Sequence, residues 1–251
     1  MSTTSPTTST TESRIKELAA LMDGIGVAML TSRRPDGRLV SRAMKLSGRE
    51  SSVDLAFVTS TASLKLDELR YDPHVNVAFY KDGTGEWVSI AGLASIRTLA
   101  DPTGTGTSGL AGIIRSADQQ ELEKQGFRDL VSKVWTGDTA EWFPNLNGDQ
   151  HPAEDPRVAI ISVRAITATY AALSSPPWSS PRVLFDLAAS AITGQPASGH
   201  HIETRNLATP ELLDARQAAT ASLISKMKRS NLATSEPIQG GETGSEVYSE
   251  E

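Results

Sequence analysis

GRLVSRAMKLS, Gly37 to Ser47, sets the period on which the fold is read. With side chains alternating as in a strand, Val40, Arg42, Met44 and Leu46 share one face, which puts a guanidinium in an otherwise apolar row. A buried charge is costly unless paired, so Arg42 requires a partner. The pattern leaves two kinds open: an acidic side chain across the sheet, Asp54 or Glu86, or an anionic ligand.

Upstream, GVAMLTSR and the turn RPDG, with Pro35 and Gly37 at turn-forming positions, complete a hairpin with this strand. Before it, Glu12 to Asp23 carries Ile15, Leu18, Ala19 and Met22 at helical spacing, with Gly24 as a stop. Downstream, VDLAFVT reads as a strand, ASLKLDELRYD as a helix, HVNVAFY as a strand, KDGTG as a tight turn and EWVSIAGLASIRTL as a long strand. Gly92 inside that strand marks a bend or bulge, the device by which a sheet curls. A helical stretch with a break near Gly126 follows, then a last strand, RVAIISVRAITATYAAL. Beyond it lie the linker SSPPWSSP, whose Trp178 is expected to pack on the barrel, and two weaker helices, Val183 to Ile192 and Pro210 to Arg229. Many short strands joined by turns predict an antiparallel sheet or barrel, not a doubly wound parallel sheet.

The 251 residues suit one core with extensions: a disordered tail over 1–11, a domain over 12–175 with an insertion at 101–130, a helical extension over 176–230 and an acidic tail over 231–251. A net charge of -6 argues against a general nucleic-acid binder, which needs a basic surface. Zero cysteines exclude disulfides, thiolate metal sites and a cysteine nucleophile, and fit a reducing compartment, so a cytoplasmic location is expected. No apolar run approaches the ~20 residues of a membrane span.

The glycines of GTGTSG (Gly104, Gly106, Gly109) match a dinucleotide fingerprint, but the parallel strand-helix-strand unit it needs is absent from the pattern. His200 and His201 lack further ligands nearby, so no metal site is expected. A better constellation runs from Arg42 through FVTSTASLKLDEL. Thr59 closes a strand, and Thr61 to Ser63 opens a helix whose first turn carries Lys65, a cation at the wrong end of the helix dipole. Helix N–H groups, the hydroxyls of Thr59 and Ser63, and the two cations could together cradle a phosphate monoester. The alternative is structural, with Arg42 paired to a carboxylate and Lys65 turned to water.

AMLTSRRPDGRLVSRAMKL, LAFVTSTASLKLDELRYDPHVNVAFY, EWVSIAGLASI, WFP at Trp142 to Pro144, and DPRVAIISVRAITATY together resemble the FMN-binding split barrels related to pyridoxamine 5'-phosphate oxidase. The subgroup they are most similar to contains the general stress proteins and fungal blue-light-induced proteins. The resemblance implies a mainly β fold, a six-stranded antiparallel Greek-key split barrel with flanking helices, forming a homodimer with FMN between the subunits. It implies that Arg42 and Lys65 hold the phosphate with Thr59 and Ser63, and that the backbone around Ala43, Met44, Phe57 and Val58 borders the flavin ring. Trp87, Ser89 and Trp142 become candidates for contacts from the partner chain. The Arg-Pro-Met step usual in the subgroup is Arg42, Ala43, Met44 here, and the C-terminal Arg-x-His element of the oxidases is missing, so their substrate chemistry is not implied. A flavin-dependent oxidoreductase with a stress- or light-related role is the expectation, with a non-catalytic flavin carrier or a dimeric interaction module as alternatives.

Overall fold

A computed structural model describes residues 10–104, 116–144, 151–173 and 202–233. Helix α1 (Thr11–Ile25) begins where the Thr10 hydroxyl accepts the Ser13 amide at 3.3 Å, and it buries Ile15, Leu18, Leu21 and Met22. Strands β1 (Val27–Arg33) and β2 (Leu39–Lys45) form the expected hairpin, with Leu30 opposite Arg42. Gly37 turns the corner at φ +86, a conformation that side-chain-bearing residues rarely take.

The remaining elements are β3 (Gly48–Arg49), β4 (Leu55–Ser60), α2 (Lys65–Tyr71), β5 (His74–Tyr80), β6 (Trp87–Arg97), α3 (Ala117–Val134), α4 (Gly137–Glu141), β7 (Val158–Leu173), β8 (Ile202–Leu207) and α5 (Thr209–Ala233). Every strand pairing is antiparallel, in the order β2-β1-β5-β6-β7-β4-β3, with β8 added along the C-terminal half of β7. Among the described residues eight strands make up the sheet, and it curls into a half-barrel of the split-barrel type with flanking helices. The curl shows in the core: Met44 of β2 and Phe57 of β4, from opposite ends of the strand order, belong to one buried cluster with Leu30, Val77, Ile90 and Tyr170.

A second cluster explains why β4 and β7 read as nearly continuous apolar runs. Ala56, Val58, Val158 and Ile160 project from the other face of the sheet onto Phe127, Leu130, Val131 and Val134 of α3. That helix opens with a Ser116–Gln119 capping box and runs through Gly126 without the break expected there.

The bend predicted at Gly92 is present as a register shift between β6 and β7 at Ala91/Gly92. A Cβ at this position would stand 2.7 Å from the Arg164 carbonyl oxygen, so the close approach of two backbones requires glycine.

The chain divides into two compact units, Met1–Arg216 and Gln217–Glu251. Among the described residues, no helix is long and apolar enough to cross a membrane. The expected helix Val183 to Ile192, Trp178, Gly106, Gly109, His200, His201 and both chain ends lie outside the described residues.

Candidate anion and flavin site

The question posed by Arg42 has a direct answer in the fold. Its guanidinium lies on the inward row of β2, and its two terminal nitrogens each donate to one oxygen of Glu68 at 2.7 Å. The anticipated partners are both engaged elsewhere. Asp54 receives Arg216 through two bonds of 2.7 Å and the Ala165 amide at 3.0 Å. Glu86 receives Lys81, Thr84 and the Leu173 amide. Glu68 instead comes from α2, three residues after Lys65 and so on the same side of the helix.

Glu68 also accepts the Ser32 hydroxyl at 2.7 Å and Arg34 Nε at 3.1 Å, and its side chain is only 7% exposed. The bond from Arg42, aided by those from Ser32 and Arg34, outweighs burial and holds its carboxyl at a pKa of about 2. At neutral pH this carboxylate stays ionised and transfers no proton.

Lys65 meets a different environment. Its ammonium is half-buried and donates to the Thr59 hydroxyl at 2.7 Å; among the described residues no carboxylate pairs with it. Desolvation lowers its pKa, and the nearby Arg42 charge lowers it further. Two cations, one paired and one matched only by a hydroxyl, therefore share one corner beneath α2.

The cradle differs in one respect from the sequence expectation. Thr61 to Ser63 does not open the helix: the Ser63 amide donates to the Ser60 carbonyl in a turn, Leu64 precedes the first helical residue, and no side chain caps it. Lys65 is itself the first residue of α2, which lets its ammonium fold back onto β4.

The residues expected around a flavin ring divide into three places. The side chains of Met44 and Phe57 are buried in the core, leaving only their backbone as a possible border. Val58 and Trp142 meet in a shallow, solvent-open hollow with Lys45, Ser47 and Phe143, where the Ser47 hydroxyl accepts the Val58 amide at 3.0 Å. Ala43, Trp87 and Ser89 lie on the outward face of the sheet, where Ser89 accepts a bond from Asn76 at 2.8 Å. Thus Arg42, Thr59 and Lys65 come together, with Ser63 in the adjoining turn, whereas Trp87, Ser89 and Trp142 do not join them within one chain.

Glu68, Ser32 and Arg34 were not read as site residues. For Ser32 a signal was present: it interrupts the apolar row Ala28, Leu30 of β1 just as Arg42 interrupts that of β2.

The chain is 33% identical over 191 residues to Protein bli-3 of Neurospora crassa, covering 74% of this chain and 77% of that protein. Residues 13–101 match the family described as pyridoxamine 5'-phosphate oxidase like. The chain belongs to the pyridoxamine 5'-phosphate oxidase-like family. The matched family segment spans α1 to β6 and contains Arg42, Thr59, Lys65 and Glu68, while Trp142 falls beyond it. Among solved structures, the chain is similar to a general stress protein 26-related protein from Clostridium acetobutylicum, at 12% identity over 80% of this chain and 98% of that one, with a TM-score of 0.47. It is also similar to an FMN-binding protein related to pyridoxamine 5'-phosphate oxidase from Nostoc punctiforme, at 16% identity over 66% and 84% of the two chains, with a TM-score of 0.46.

One contact in this family member superficially suggests hydrolytic chemistry, since Ser132 and His151 are 2.8 Å apart. His151 Nδ1 accepts the Ala153 amide at 3.1 Å, so the neutral ring carries its proton on Nε2 and donates to Ser132, which donates onward to the Arg128 carbonyl. The imidazole is thus arranged as a donor and cannot serve as a base for that hydroxyl.

Proposed function

We propose that this chain binds FMN as a homodimer and works as a flavin-dependent oxidoreductase in the cytoplasm. In this reading Lys65 and Arg42 hold the phosphate with the hydroxyls of Thr59 and Ser63. The observation that carries it is Lys65: a half-buried ammonium beside a second cation, matched among the described residues only by a neutral hydroxyl, gains what it lacks from a phosphate dianion. FMN bound there would supply the hydride or electron chemistry, and the protein binding, orientation and field. Membership in the family supports a flavin ligand. A stress- or light-related role is the setting suggested by resemblance to the general stress and fungal blue-light-induced proteins.

The homodimer is supported by the outward face of β2, β1, β5 and β6. Met29 sits opposite both Ala43 and Ala78, Tyr80 opposite Trp87, and Val27, Met29, Leu39 and Tyr80 are 51%, 43%, 71% and 65% exposed. An apolar area of this kind on a soluble chain marks an interaction surface. It also carries Trp87 and Ser89, the candidates for contacts across the seam.

The test is to titrate the purified chain with FMN by fluorescence quenching, then reduce the complex anaerobically with NADH or NADPH and follow bleaching of the flavin band. One FMN per chain with rapid bleaching is expected. Tight FMN binding without reduction by either nucleotide favours a flavin carrier. No uptake of FMN would leave a dimeric interaction module.

A further inference from the structure

Four donors converge on the Glu68 carboxylate: both terminal nitrogens of Arg42, Arg34 Nε and the Ser32 hydroxyl. A carboxylate offers about four acceptor positions, so this one is saturated. The paired bonds from Arg42 fix the plane of its guanidinium, and with a further bond from Arg42 to the Ser32 hydroxyl oxygen at 3.3 Å they use three of its five N–H groups. Two roles are then conceivable for Glu68. It could stand in for a ligand phosphate and leave when one arrives, or it could remain and hold Arg42 for that phosphate. Its burial decides between them. Displacement would strand a carboxylate that is 7% exposed with its bidentate partner gone, whereas Arg42 has N–H groups to offer without moving.

We propose that Glu68 is the positioning residue of the anion site: anchored by Ser32 and Arg34, it fixes Arg42 in one orientation for the phosphate. By pairing with both Arg42 and Arg34 it offsets one of their two charges, and it leaves Lys65 as the cation without a carboxylate partner among the described residues, available to a phosphate monoester. This rests on the FMN-phosphate reading above and deepens it. Arg42 becomes a directional donor, and discrimination by charge falls to Lys65. Arg34, 43% exposed and bonded to the same carboxylate, braces the pair from the solvent side.

The sign of one measurement separates the two roles. Removing the Glu68 charge makes the corner more positive, so Coulomb attraction alone would tighten FMN; loss of positioning would weaken it. For Glu68→Gln in the full chain, the dissociation constant for FMN is expected to rise about tenfold while that for riboflavin changes less than about twofold. Ser32→Ala and Arg34→Lys, which each remove one anchoring bond and leave every charge in place, are expected to lower the same FMN preference by about two- to threefold. They carry the test if Glu68→Gln does not fold. Tighter FMN binding by the variants, equal losses for both ligands, or an unchanged ratio would overturn the proposal. If wild type itself does not prefer FMN over riboflavin, the phosphate reading fails and takes this inference with it. If wild type shows the preference and the variants keep it, only the role of Glu68 falls.

Discussion

Lys65 and Glu68, three residues apart on α2, reach opposite ends of the strand order: the ammonium bonds Thr59 on β4 and the carboxylate bonds Arg42 on β2. The helix thereby spans the split of the barrel with one charge-assisted bond to a hydroxyl and one ion pair. The same span gathers the two cations that the phosphate reading needs.

The ion pair makes stability depend on acid. Glu68 is held at about 2 in the fold, below the ordinary glutamate range near 4.3, so its contribution is complete above that range and is lost as pH falls toward about 2. Denaturant unfolding should show wild type more stable than Glu68→Gln by about 3 kcal/mol at pH 6, a gap that closes through this window. A gap that does not change with pH would show that the carboxylate's charge is not what stabilises it.

Gly92 makes the bend possible by letting β6 approach β7. In Gly92→Ala the new methyl meets the Arg164 carbonyl at 2.7 Å and Val163 Cγ1 at 2.9 Å. The expected loss is about 1–3 kcal/mol, or a Tm lower by roughly 3–10 °C, read by calorimetry. An unchanged Tm would mean that the two strands separate without cost.

Met29 occupies the outward face beside Ala43 and Ala78 and takes no part in the core. Met29→Arg should therefore leave the circular dichroism of the chain intact while light scattering shows a monomer in place of a dimer. FMN occupancy should fall with it if Trp87 or Ser89 of one subunit completes the site of the other. A variant that stays dimeric would move the interface elsewhere.

The long strands from β1 to β7, their antiparallel pairing and the Gly92 bend were legible because each follows from side-chain period and backbone geometry, which act locally. The anomaly at Arg42 was legible too, but its partner was not. Asp54 and Glu86 looked available because VDLAFVT and EWVSIAGLASIRTL read as strands, yet Arg216 and Lys81 claim them from segments that sequence distance separates from the site or hides in a turn. Glu68 was hidden because a carboxylate within LKLDELRY reads as the solvated side of a helix until packing buries it against β1 and β2. Strand β8 was unread for a similar reason: IETRNL has little apolar alternation, and pairing with β7 supplies what its side chains do not.

The most direct test of the account is the ratio of riboflavin to FMN dissociation constants for wild type and Lys65→Met. Loss of one charged bond to phosphate should cut the FMN preference by about ten- to a hundredfold, with riboflavin affinity almost unchanged. Stability of the unliganded chain should shift little, since relief of the buried ammonium offsets the lost bond to Thr59. If FMN and riboflavin bind Lys65→Met in the same ratio as they bind wild type, the phosphate does not sit at Lys65 and the central claim is wrong.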